Sequence, residues 1–336
     1  MTRFRGRTVD IHAHVFTPAC QELVAGLMEP EYEPFSYYTS AETKEHQARH
    51  VAEIAPMMTN PAVRIADMDK MGIDIQALSV APPQFYYWTD VELGRRLARM
   101  QNENLASMVH DHPDRFVGLA TVPMQDVSSA VTELEYCVRD LGFRGAEINT
   151  NVFGLDLDDP RYRPFFAKAE ELDVVVLVHP NGFTHGQRFQ KYYMSNVIGN
   201  PLDTTIALNR IIHGGVLEEY PGLKLCFVHG GGYLPFYSAR IDHSYELRPE
   251  GRHHITRFPS EYLKQVYVDS MVFDSVHLEF LIQQMGAAHV VLGTDYPFDM
   301  GYYDPLGQLE GVRGLSDEDK ELIRSQTASR LLNIKD

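Results

Sequence analysis

The chain has 336 residues, 44% of them apolar and 23% charged, a composition that suits a globular protein with a large core. Acidic residues outnumber basic ones 46 to 30, for a formal charge of -16, so the average field repels a polyanion and argues against a nucleic-acid partner. No apolar run approaches the roughly 20 residues that span a bilayer, and the basic start Met1-Thr-Arg-Phe-Arg-Gly-Arg runs straight into Val9-Asp-Ile-His, unlike a signal peptide.

In chain order, apolar runs predict strands at Val9–His14, Asp74–Val80, Phe116–Pro123, Gly145–Thr150, Val174–His179, Leu223–His229, Gln265–Ser270 and Val290–Asp295. They are β-branched and apolar on both faces, as strands buried in a parallel sheet are. Helical patterns lie between them at Pro61–Met71, Val91–His110, Val127–Leu141 and Arg163–Leu172, the first with Asn60 as N-cap and Pro61 at its first position. Eight strands alternating with helices predict one (β/α)8 barrel domain of the TIM type over residues 1–336, although an open doubly wound sheet has the same alternation. Residues 17–59, rich in Glu, Tyr, Pro and His, are too long for a βα loop and read as an inserted subdomain or lid at the barrel mouth. Cys20, Cys137 and Cys226 are odd in number and far apart, as expected of reduced thiols in a cytoplasmic protein; the last two sit in core patterns.

The C-terminal strand ends of a parallel barrel display the active groups. Here those ends carry His12 and His14, His179, His229 and Asp295. His12 and His14, two apart on a strand, share a face and can bind one metal together. Pro180 ends the strand behind His179. Asp295 closes the apolar run Val290-Val-Leu-Gly-Thr, where a carboxylate is costly unless paired or metal-bound. Imidazole and carboxylate donors without thiolate suit one divalent metal, zinc first, with manganese, iron or cobalt also compatible. Binuclear sites on such barrels use a carboxylated lysine at the end of the fourth strand; here that strand ends Glu147-Ile-Asn-Thr-Asn, which predicts a single ion. His213, His243, His253, His254 and His277 sit in polar or helical contexts and read as surface or supporting groups.

At Asp10-Ile-His-Ala-His, Cys226-Phe-Val-His-Gly-Gly-Gly and Leu292-Gly-Thr-Asp-Tyr-Pro-Phe the sequence resembles the amidohydrolase superfamily. Arg64-Ile-Ala-Asp-Met-Asp-Lys-Met-Gly and Phe116-Val-Gly-Leu-Ala-Thr-Val-Pro-Met-Gln extend the likeness to the branch of α-amino-β-carboxymuconate-ε-semialdehyde decarboxylase. The resemblance implies metal ligands His12, His14, His179 and Asp295 with a water completing the shell. It implies His229 as the proton-transfer group, with Gly230, Gly231 and Gly232 expected to let substrate approach it. It further implies non-oxidative decarboxylation of a small unsaturated or aromatic carboxylic acid. A metal hydrolase or hydratase acting on a ring-fission product, amide or lactone is the alternative enzyme, and a catalytically silent metal-binding protein the alternative class.

The resemblance also makes Arg240 a contact to substrate carboxylate near the interface of a homodimer. Phe298 becomes a pocket wall, Phe85, Tyr86 and Trp88 further walls, and Arg188 and Tyr192 contacts in the loop after the fifth strand. The sequence departs from the family at three points: Ala52 stands where an arginine is expected, with Arg49 three residues away; Asn181-Gly182 replaces Trp-Asp; and a tyrosine, Tyr192 or Tyr193, replaces a tryptophan.

Overall fold

The computed structural model describes residues 6–334; the two ends of the expected 1–336 domain, including Met1 to Arg5 of the basic start, lie outside the described residues. Eight parallel strands are hydrogen-bonded in sequence order. They are β1 (Val9–Val15), β2 (Ile75–Val80), β3 (Phe116–Thr121), β4 (Gly145–Asn149), β5 (Val175–His179), β6 (Lys224–Phe227), β7 (Tyr267–Asp269) and β8 (Val290–Val291). The loop after β8 returns to β1: Ile11 N donates to Leu292 O (3.0 Å), Asp295 N to His12 O (2.8 Å) and His14 N to Tyr296 O (2.8 Å). These bonds close the sheet into a barrel and exclude the open doubly wound alternative. A two-stranded hairpin, Asn151–Val152 with Leu155–Asp156, stands outside it.

The last two strand predictions that carry site residues run too long. β6 stops at Phe227 because His229 (φ 55°, ψ 44°) and Gly230 turn left-handed. β8 stops at Val291, and Asp295 also has a positive φ of 56°. Both residues therefore sit just past their strands, in conformations that L-residues rarely adopt.

Helices α1 (Pro18–Val24), α2 (Pro34–Tyr37), α3 (Ala41–Thr59) and α4 (Pro61–Met71) follow β1. The Asn60 side chain accepts from Ala62 N at 2.9 Å, and left-handed Gly72 ends α4, as the cap pattern predicts. Residues 17–59 have no core of their own. Cys20 and Val24 pack on Tyr86 and Leu97, and Ile54 and Met58 on Ala81 with Phe16 and Phe298. The segment is thus built onto the barrel rim. Cys20, Cys137 and Cys226 are all free and buried. Among the described residues no helix is long and apolar enough to cross a membrane.

Arg64 anchors α4 beneath β1. It is fully buried, donates to Gln76 Oε1 (2.7 Å), Met57 O (3.1 Å) and His14 O, and lies over the Tyr296 ring at 4.8 Å. Burial pulls its pKa down to about 10, so it stays charged at neutral pH. Substitution Arg64→Met leaves three buried acceptors unpaired and should lower the unfolding free energy by about 3 kcal/mol. Urea denaturation checks this, and a loss below about 1 kcal/mol would remove the anchoring role.

Candidate metal centre

His12, His14, His179 and Asp295 converge, each offering one donor atom, with all four atoms within 4.8 Å of one another. His12 Nε2 lies 3.1 Å from His14 Nε2. Asp295 Oδ1 lies 3.3 Å from His12 Nε2 and 3.2 Å from His14 Nε2. Donors bound at about 2.1 Å to one ion are separated by roughly 3 Å, so these spacings match the edges of a ligand shell. Asp295 Oδ1 and His179 Nε2 are buried without a hydrogen-bond partner. Buried orphan donors facing one point fit one divalent metal ion.

The other ring nitrogens fix the tautomers. His12 Nδ1 is 2.6 Å from Asp269 Oδ2, His14 Nδ1 is 3.1 Å from Val80 O, and His179 Nδ1 is 2.6 Å from Pro180 O. Every one of these partners is an acceptor, so each Nδ1 carries the hydrogen and each Nε2 lone pair is left for the ion. Burial, reinforced by neighbouring imidazoles, holds His179 well below its usual pKa, and burial also lowers His14. Both are therefore neutral and ready to ligate. Burial opposes the charged form of His12 as well, but the Asp295 and Asp269 carboxylates outweigh it and raise that pKa well above normal. Burial likewise opposes ionisation of Asp295, yet His12 and the close imidazoles of His14 and His229 hold its carboxyl well below the usual carboxylate range. A metal ion would displace the proton that His12 holds.

A buried polar network sets the backbone beneath the ligands. Asp10 accepts from His12 N (3.0 Å), Gln76 Nε2 (2.8 Å) and both Thr294 N (3.1 Å) and Oγ1 (2.6 Å). Gln76 passes the network on to Arg64. One carboxylate thus ties the His12-Ala-His14 strand to the loop bearing Asp295.

His229 stands beside the four. Its ring lies 5.1 Å from that of His179 and 5.4 Å from that of His12. Nε2 is 3.6 Å from Asp295 Oδ2, and Nδ1 has no partner. The glycines that follow His229 are also demanded by packing. A Cβ on Gly230 would meet Val272 Cγ1 at 2.6 Å, one on Gly231 would meet Val268 Cγ1 at 2.9 Å, and one on Gly232 would meet Pro201 O at 2.3 Å. All three have positive φ. They are glycines so that the loop can turn and pack, which aims His229.

Two carboxylates went unassigned in the sequence. Asp269 ends β7, holds His12, and accepts from Gly230 N at 2.8 Å, so it orients both a ligand and the His229 loop. A carboxylate in an apolar strand was the available signal, the same one that marks Asp295. Glu147 on β4 lies 3.8 Å from His14 Nδ1 with both oxygens unpartnered. Burial pushes its pKa up to about 8, so it adds little negative charge at neutral pH.

Above the donors opens a cavity of about 440 Å3. His179 and Asp295 form its base, Phe298, Pro82, Pro83 and Tyr193 line its walls, and Phe35, Lys44, Gln47 and Val51 close its mouth. Phe298 also lies 5.4 Å from the His14 ring. Other expected contacts fall elsewhere. Phe85 is buried in a neighbouring cavity. Tyr192 points to solvent, 86% exposed, because the loop brings Tyr193 inward instead. Arg188 and Arg240 are exposed and outside the lining. Asp242 accepts from Ser260 N at 2.9 Å and Asp269 holds His12. Arg49 pairs with Glu45 at 2.7 Å on the outer face of α3. Lys44 is the only Lys or Arg among the lining residues.

The chain belongs to the amidohydrolase family, whose sequence model matches residues 9–334. It is 34% identical over 332 residues to the 2-amino-3-carboxymuconate-6-semialdehyde decarboxylase of Dictyostelium discoideum, covering 98% of this chain and 92% of that one. Its fold matches 5-carboxyvanillate decarboxylase from Sphingomonas paucimobilis with a TM-score of 0.86 at 25% identity, over 98% and 100% of the two chains. Dihydroxybenzoic acid decarboxylase from Polaromonas sp. JS666, a structure with bound manganese, has the same fold at a TM-score of 0.82 and 24% identity, with 98% of each chain covered.

Asp269→Asn removes the charge that holds Nδ1–H of His12. Metal affinity measured by chelator competition should fall about 10- to 100-fold with secondary structure intact. An unchanged affinity would mean that the orientation of His12 comes from elsewhere.

Proposed function

We propose that the protein is a metal-dependent, non-oxidative decarboxylase of a small unsaturated or aromatic carboxylic acid, with His12, His14, His179 and Asp295 as ligands of one zinc ion, manganese being the alternative. The observation that carries this is the set of four buried donors with His229 beside them, two of the donors, His179 and Asp295, lining a largely apolar cavity. The 34% identity to a decarboxylase over nearly the whole chain supports the reaction class.

A metal held by His12, His14, His179 and Asp295 would supply Lewis acidity that stabilises developing negative charge. The chain's own residues do the rest. Phe298, Pro82 and Pro83 hold a flat acid and keep water from the reacting carbon. His229 hands a proton to the carbon that bears the carboxylate. The C–C bond then breaks, its electron pair restores the conjugated system, and carbon dioxide leaves. His229 regains its proton from solvent, and Asp295 Oδ2, 3.6 Å away, steadies the imidazole. Lys44 attracts the anionic substrate at the mouth, a task the resemblance gave to an arginine. The lid role of residues 17–59 belongs to this reading, since α2 and α3 supply that mouth. So does a homodimer in which a second copy covers exposed Tyr237 and Arg240. A cytoplasmic setting is supported by the three free thiols.

Carbon dioxide release from a panel of aromatic and muconate-like acids tests the reaction; turnover that consumes water and releases none sinks it. His229→Asn should cut the rate about 100- to 10,000-fold while elemental analysis still finds one metal per chain. Loss of metal in that variant would make His229 a ligand. Lys44→Ala should raise KM about tenfold at little cost in kcat, as expected when uniform binding is lost; equal losses in kcat and kcat/KM would contradict a role in capture.

A further inference from the structure

A second cavity, of about 220 Å3, adjoins the first. Asn181 lines both. Its walls are aromatic: Tyr32 stacks on Trp88 with centroids 5.0 Å apart, Phe153 meets Tyr32 edge-on at 5.6 Å, and buried Phe85 also lines it. Set into these walls is Glu33, only 6% exposed. Its Oε2 accepts from Asn181 Nδ2 at 3.1 Å, and among the described residues no cation pairs with it. No Lys or Arg lines the cavity, and Glu31 adds a second carboxylate.

Asn181-Gly182, where the sequence departs from the family, builds this arrangement. Asn181 holds Glu33. Gly182 (φ 74°) makes room for the same segment, since a Cβ there would lie 2.4 Å from Phe35 N.

A buried carboxylate without a cationic partner is unfavourable. Aromatic faces around an acidic group attract one kind of ligand, an organic cation, through the ring quadrupoles and the negative charge together. Burial pushes the Glu33 carboxyl up to about 7; a bound cation would return it to the ionised form. We propose that the Glu33 cavity binds an organic ammonium group, a protonated or methylated amine. The ammonium belongs either to a free amine or to a substituent of the substrate that passes Asn181. The site stands whether or not the metal cavity decarboxylates.

Trp88 is the only tryptophan in the chain, so its fluorescence reports on this cavity alone. Choline should change it saturably in the low millimolar range. Its neutral isostere 3,3-dimethylbutan-1-ol should bind at least tenfold more weakly. Glu33→Gln, nearly isosteric, should weaken choline at least tenfold. Phe153→Ala, at an exposed position where folding is not at risk, should weaken it several-fold. Competitive inhibition of turnover by choline identifies a substituent of the substrate, and non-competitive inhibition a separate amine. Equal binding of choline and the alcohol overturns the proposal, as does choline binding unaffected in Glu33→Gln and Phe153→Ala.

Discussion

Three imidazoles can serve one ion only if each presents an unprotonated nitrogen to it. The structure meets that constraint with three different acceptors, one for each Nδ1: the Asp269 carboxylate, the Val80 carbonyl and the Pro180 carbonyl. Two of the three are backbone atoms, so the tautomers are set by the barrel itself. Strand pairing brings Val80 beside β1, and Pro180 follows directly on β5. The candidate ligands are therefore oriented largely by the sheet that carries them.

The barrel closes where this constraint is tightest. β1 carries two of the four candidate ligands and the loop after β8 another, and their backbones meet through the bonds of Ile11, His14 and Asp295. Asp10 accepts four hydrogen bonds at that seam, which offset the cost of burying it. Burial still raises its pKa, with the bonds from Thr294 and Gln76 opposing. The left-handed backbone at His229 and Asp295 is local strain that this surrounding network over-determines. The two residues stand together, with His229 Nε2 3.6 Å from Asp295 Oδ2.

The segment after β1 divides the space above the barrel. α3 turns Lys44, Gln47 and Val51 toward the metal cavity, while Glu31 and Tyr32 face the aromatic one. Asn181, on the loop after the His179 strand, is the partition between them. A single loop thus follows the His179 strand and touches both cavities.

Much of this was legible in the sequence. Period-two alternation shows that His12 and His14 share a face, a proline marks the end of the His179 strand, and a carboxylate after an apolar run marks Asp295. These signals are local, and local geometry decides them. The alternation shows eight strands, but only the closure of the sheet chooses the barrel over a doubly wound order, and the charge argues against a polyanion without any coordinates. Side chains whose direction depends on distant packing were beyond reach. Phe85 lines the neighbouring cavity, Tyr193 replaces Tyr192, and Lys44 rather than Arg49 reaches the mouth. Arg188 and Arg240 stand outside. The glycines after His229 answer to Val272, Val268 and Pro201, residues on other elements. Sequence pattern determined which groups stand at the strand ends. Only tertiary packing decided where the loops turn, because left-handed turns and rim contacts depend on neighbours far away along the chain.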